Sequence, residues 1–146
     1  VYKRQGGGAR SSAFALEPDV ALVVDVTFST DVPDIEKKEL GEHKIGGGPV
    51  LSRGSANHPV VFHRLVEAAE AERISYTIQA APKATRTDAY GIHLTRMGVP
   101  TGLISVPNRY MHSPNEVVSL GDLQSAAELM AAFIRRLDPD TDFTPR

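Results

Sequence analysis

Thr101-Gly102-Leu103-Ile104-Ser105-Val106 is a short apolar run, and Pro107-Asn108-Arg109-Tyr110-Met111-His112-Ser113-Pro114 follows it directly. The first segment has the length and side chains of a buried strand, which predicts that His112 hangs just beyond that strand's carboxyl end. Ligands of an open α/β sheet bind in the crevice outside such ends. A second run carries a similar signal: Ala21-Leu22-Val23-Val24-Asp25-Val26-Thr27 holds one carboxylate among apolar, largely β-branched neighbours. An unpaired buried carboxylate is costly, so Asp25 calls for a cationic partner. A metal ion shared with residues at other strand ends is an economical one.

Outward from these two strands, residues 9–16 are mildly helical, and Glu17-Pro18-Asp19 ends them. Residues 28–48 read as a loop, with a charged cluster from Asp34 to Lys44 and a flexible turn at Gly46-Gly47-Gly48-Pro49. A short strand is expected at 50–53, and Pro59 suits the first turn of a helix whose Phe62, Leu65, Val66 and Ala69 share one face. Residues 76–80 alternate like a strand. Thr87-Asp88 supplies an N-cap for a helix over 89–97, after which Gly98-Val99-Pro100 leads into the strand 101–106. The last helix places Leu120, Leu123, Ala127, Met130, Ile134 and Leu137 at spacings of three and four, entered through Ser119 and Asp122 as an acidic variant of the capping box. Strands alternating with helices predict an α/β fold: a mostly parallel sheet with helices on both faces.

The 146 residues suffice for one core. Sixteen basic against eighteen acidic residues leave a net charge of -2, so nucleic acid and anionic membrane surfaces are not expected partners. Without cysteine there is no disulfide, thiolate nucleophile or Cys-ligated zinc, and any metal must be held by Asp, Glu and His. Cysteine-free composition and the lack of a leader or membrane-span pattern suggest a cytoplasmic, soluble chain. Val1-Tyr2-Lys3-Arg4-Gln5 matches the translation of a transposon mosaic-end adapter and is read as a non-native scar. The expected organisation is therefore 1–5 scar, 6–138 catalytic domain and 139–146 flexible tail.

Other motifs carry less. His58 and His63 are five apart, about 140° around a helix, and cannot chelate one ion as an i, i+4 pair would. With His43 and His93 they read as solvated or structural. Gly46 to Gly48 lack the following Lys-Ser/Thr and helix start of a phosphate cradle. No Gly-x-Ser-x-Gly elbow points to a serine hydrolase.

Taken in order, Asp25-Val26-Thr27, Gly48-Pro49-Val50, Thr87-Asp88-Ala89, Gly98-Val99-Pro100-Thr101 and Arg109-Tyr110-Met111-His112-Ser113-Pro114 with Glu116-Val117-Val118 resemble the tetrahedral aminopeptidases. These are dinuclear metallopeptidases that include glutamyl aminopeptidases and proteins labelled endoglucanase or cellulase. The resemblance runs from about Gly8 to Leu137 and implies the C-terminal half of a zinc-peptidase-like catalytic domain. It also implies that Asp25 binds one divalent ion and His112 the other, with zinc or cobalt as the metals. The bridging Asp, a second His, a Glu ligand and the neighbouring general-base Glu of the family pattern lie upstream of this sequence. No catalytic residue is thus assigned within it, and the chain alone is expected to be inactive. Arg86, Asp88, Arg109 and Tyr110 are expected to line or support the substrate pocket. Arg86 stands where the family commonly has glycine, and can either favour an acidic substrate side chain or crowd the pocket.

The resemblance further implies peptide substrates and a homo-oligomer, from dimer to dodecamer. Two other readings stand beside it: a related dinuclear deacylase or amidohydrolase, for which fold and ligands would look the same, and a non-catalytic paralogue serving binding or assembly with the metal centre lost. Cellulase activity is not supported, since no carboxylate pair beside a sugar-stacking aromatic cleft is evident and tryptophan is absent.

Overall fold

The computed structural model describes residues 6–33 and 35–145. The supposed scar at 1–5, Asp34 of the charged cluster and Arg146 of the tail lie outside the described residues. Helix α1 (Gly7–Leu16) precedes strand β1 (Ala21–Phe28), and one helical turn, α2 (Lys37–Leu40), interrupts the expected loop. Then come β2 (Val50–Gly54), α3 (Pro59–Ala71), β3 (Thr77–Ala81), α4 (Asp88–His93), β4 (Thr101–Arg109), the two-residue β5 (Val117–Val118) and α5 (Leu120–Arg135).

The sheet runs β1-β4-β2-β3, with β5 beside β4. The long ladders, β1 with β4 and β2 with β3, are parallel, whereas β2 and β5 each meet β4 antiparallel over two residues. The sheet is mostly parallel, as the alternation of elements predicts. Its two parallel pairs nevertheless point in opposite directions. The carboxyl ends of β1 and β4 therefore share one end of the sheet, away from those of β2 and β3.

Helices cover both faces. Ile104 and Val106 of β4 pack with Val61, Phe62 and Leu65 of α3 and with Leu129 and Phe133 of α5. On the other face Val23 and Leu103 meet Ala89 of α4. Gly102 belongs to the α3 face, where a Cβ would come within 2.7 Å of Val61 Cγ1, so glycine lets the helix approach the strand. Strand β4 outruns its predicted end by three residues and passes through Pro107. Pro100 O and Asn108 O accept from Ala21 and Ser29 N–H, so even-numbered carbonyls face β1. The nitrogen of Pro107 consequently faces the other side, where β2 has already ended opposite Ser105, and no ladder bond is lost.

Four expectations need correction. Helix α5 buries only part of the stripe picked out by spacing: Met130 and Leu137 pack against the core, Leu120, Leu123 and Ile134 are exposed, and the fully buried face is Asp122, Ala126, Leu129, Ala132 and Phe133. The helix carries two apolar stripes, and periodicity alone does not say which one the sheet takes. Helix α4 stops at His93 rather than running to 97, because Thr95 Oγ1 donates to Gly91 O and Arg96 and Gly98 take positive φ. The glycine turn at 46–48 is anchored rather than flexible. Gly46 and Gly48 N–H donate to the Asp122 carboxylate at 2.8 and 2.9 Å, and Gly48, at φ 89°, has no room for a Cβ beside Ser75 O. His43, placed by its sequence neighbours in a polar loop, is buried, with its ring nitrogens bonded to Thr77 Oγ1 and Leu40 O. Residues 138–145 contain no helix or strand, and Phe143 packs against the core beneath the Arg64 guanidinium.

Candidate metal centre

Asp25 lies in β1 and His112 in the turn after β4, two neighbouring parallel strands that end together. Asp25 pairs in register with Ser105, three residues before the end of β1, and His112 lies three residues past the end of β4. Odd-numbered residues of both strands face α4, as Val23 and Leu103 do, and Asp25 shares that face. There it lines a concavity of about 890 Å³ with Gly6, Arg10 and Ser11 of the α1 region and Arg86, Thr87, Asp88 and Tyr90 of the α4 region. Asp25 Oδ1 accepts the Val26 N–H at 2.8 Å, while Oδ2 has no hydrogen bond among the described residues. The cation that the sequence leads one to expect beside Asp25 is not supplied by an ion pair among the described residues.

His112 is not among the residues lining that concavity. Its ring is exposed, and neither ring nitrogen has a hydrogen bond among the described residues. The turn carrying it is closed by Ser113 N–H donating to Tyr110 O at 3.0 Å. Tyr110 and His112 take φ of 60° and 68°, in the left-handed region that residues with a side chain seldom occupy. Such strain persists only where the surroundings over-determine it, and it concentrates at functional sites.

The remaining candidates fall into two groups. Arg86 and Asp88 join Asp25 in the concavity. Arg86 has φ 58°, so the position where the family commonly has glycine is indeed one that glycine suits. Arg109 and Tyr110 instead lie with His112. Arg109 donates to both oxygens of Asp31, at 3.2 and 2.6 Å, tying the end of β4 to the loop after β1. That bond holds the Asp31 carboxyl down at about 2, from an ordinary 3.8. Tyr110 is exposed.

Sequence reading missed several contributors. Arg10 is one: it joins Arg86, the pocket residue expected from the sequence, as a second cation in the same concavity, and neither side chain has an ion pair among the described residues. Glu116 accepts the His112 N–H and the Asn108 Nδ2–H, which lowers its carboxyl pKa, the Asn108 bond acting most strongly. Its spacing of four from His112 was the available signal. Asp31 had none, because its partner Arg109 is 78 positions away.

A carboxylate and an imidazole, each with a free donor atom, fit the N and O ligand preferences of zinc or cobalt. Among the described residues no group of three or more His, Asp and Glu side chains could close such a site. The fit is that of a contributor to a centre completed by further ligands.

Residues 6–129 match a family model described as M42 glutamyl aminopeptidase. A putative aminopeptidase from Acetivibrio thermocellus is 39% identical over 130 residues, which is 87% of this chain and 38% of that protein. An aminopeptidase structure from Desulfurococcus kamchatkensis superposes with TM-score 0.84 at 42% identity, covering 92% of this chain and 39% of that one. A TET aminopeptidase structure from a marine sediment thaumarchaeon gives 0.86 at 31% identity, covering 95% and 39%. The chain thus spans about 38% of the length of that curated relative.

Proposed function

Because the chain belongs to the M42 glutamyl aminopeptidase family, we propose that Asp25 and His112 are its contributions to a two-metal centre that removes N-terminal residues from peptides. The reading is supported by one observation above all: Asp25, near the end of β1, and His112, three residues past the end of the adjacent parallel strand β4, stand at the same end of the sheet. Asp25 is assigned to one ion and His112 to the other, with zinc or cobalt as the metals. When bound, such ions supply an acidified water and polarise the scissile carbonyl.

The chain's own residues do the rest of what can be assigned to it. The Asp25 carboxylate, fixed by the Val26 N–H, keeps one oxygen for a ligand and offsets positive charge at the site. Arg86, Asp88, Arg109 and Tyr110 orient the substrate or shape its pocket, Arg86 directly from the concavity and Arg109 through its grip on Asp31. The remaining metal ligands and the general base come from outside these residues. The working enzyme is a cytoplasmic homo-oligomer.

Incubating the purified 146-residue chain with a peptide mixture and Zn²⁺ or Co²⁺ is expected to release no amino acids by mass spectrometry. A longer form carrying the missing ligands is expected to do so, and to lose the activity by 100-fold or more, on the order of the loss expected for a metal-centre residue, on Asp25→Ala or His112→Ala. Metal-dependent release by the chain alone, or full activity of either variant, would refute the assignment.

A further inference from the structure

We infer that Glu116 is a positioning residue for the His112 imidazole, an inference that rests on the ligand role proposed for His112. Among the described residues the ring has no hydrogen bond of its own, so its direction is set through the backbone of its turn. That backbone is held in an unfavourable form, with left-handed φ at both Tyr110 and His112. Something outside the turn must hold it there.

Glu116 does so with both oxygens. Oε1 accepts the His112 N–H at 2.5 Å, and Oε2 accepts Asn108 Nδ2–H at 3.0 Å. Asn108 is itself 1% exposed and sits in β4, in register with Phe28 of β1 on one side and Val118 of β5 on the other. One carboxylate therefore links the backbone of His112 to the most constrained part of the sheet end. Arg109, clamped to Asp31, fixes the other root of the same turn. Strand β5 has a purpose in this arrangement: two residues of pairing, Arg109 with Val117 and Asn108 with Val118, hold Glu116 beside the turn.

The chemistry of the two donors explains why a carboxylate is suited here. Two N–H groups converge from different directions, and a carboxylate offers an acceptor to each without supplying a competing proton. A glutamine keeps one acceptor for His112, and its amide group can donate to Asn108 Oδ1, which has no partner among the described residues, once the Asn108 amide rotates. An alanine keeps neither bond. Ligand orientation at metal sites depends on such outer contacts, whose loss weakens binding about ten- to hundred-fold.

The test uses isotope-labelled wild-type chain, Glu116→Ala and Glu116→Gln, with Co²⁺ alone as the probe. Nuclear magnetic resonance reads the coupling constant that reports φ of His112 and the Co²⁺ concentration that half-broadens its ring signal. The ring of His63, exposed on α3, serves as an internal control. In Glu116→Ala the coupling is expected to leave its wild-type value and the Co²⁺ requirement at His112 to rise about tenfold or more, with His63 unchanged. Glu116→Gln is expected to stay within about twofold of wild type, since a neutral acceptor still serves the bond. An unchanged coupling and Co²⁺ response in Glu116→Ala, or equal losses in both variants, overturns the positioning role alone. A wild-type His112 ring no more sensitive to Co²⁺ than His63 overturns the ligand reading on which it stands.

Discussion

Asp31 and Arg109 meet through two parallel hydrogen bonds across elements that are far apart in the chain. A guanidinium fork on a carboxylate favours the ionised acid, which is why Asp31 titrates at about 2 instead of 3.8. The consequence for stability has a definite sign. A carboxyl whose pKa is depressed by folding adds stability that is complete above its unfolded value and is lost as the pH falls through the folded one. The contribution of Asp31 should therefore be full above about pH 4 and gone near pH 2. Asp31→Asn is expected to be less stable than wild type at pH 7, with the two urea midpoints converging between pH 4 and pH 2. A gap that stays constant over that interval would show that the ion pair does not govern this residue's contribution.

At the scale of the element, α5 shows what a sequence can and cannot disclose. Its existence, its N-cap and its length are legible from Ser119 and the spacing of apolar residues, and Ser119 Oγ does accept the Asp122 N–H. The use made of Asp122 is not legible. Instead of turning back to the start of its own helix, the buried carboxylate reaches 76 positions away to Gly46 N–H and also takes Gly48 N–H. Removing it with Asp122→Ala leaves two peptide donors without a partner and should cost about 3 kcal/mol in chemical denaturation, as for the loss of charged hydrogen bonds in a buried site. Asp122→Asn, which keeps one acceptor, should cost about half as much. The other misread elements fail for related reasons. Helix α4 ends where a threonine hydroxyl and two positive-φ residues intervene, and His43 is buried by partners, Thr77 and Leu40, that no local pattern around it announces.

For the whole molecule, the strands β1 to β4, their order of appearance and the mostly parallel sheet follow from patterning, whereas the two-residue β5 does not. The antiparallel joint between β2 and β4 does not, since the direction of a crossover is a property of the assembled sheet. Likewise, Asp25 and His112 are identifiable as candidates from the residues around them, whereas the role of Glu116 becomes visible only with the turn in place. The second apolar stripe of α5, with Leu120 80% and Ile134 57% exposed and Leu123 between them, is a surface that monomeric proteins usually keep covered. The chain should accordingly associate as its concentration rises in sedimentation velocity. Leu123→Lys combined with Ile134→Lys should shift that association to at least about tenfold higher concentration, the equivalent of about 1.4 kcal/mol. No shift would mean that this stripe is not the contact.

The ladder between β1 and β4 joins residues eighty positions apart, as the pairing of Asp25 with Ser105 illustrates. Closing so long a loop must precede any reward from the pairing, which places this fold among the slower-forming topologies rather than the fast helical ones. During synthesis β1 leaves the ribosome well before β4 exists, so its aspartate spends that interval on an unpaired ribbon open to other strands. A nascent chain of this kind has a built-in reason to engage a chaperone until its last third has emerged.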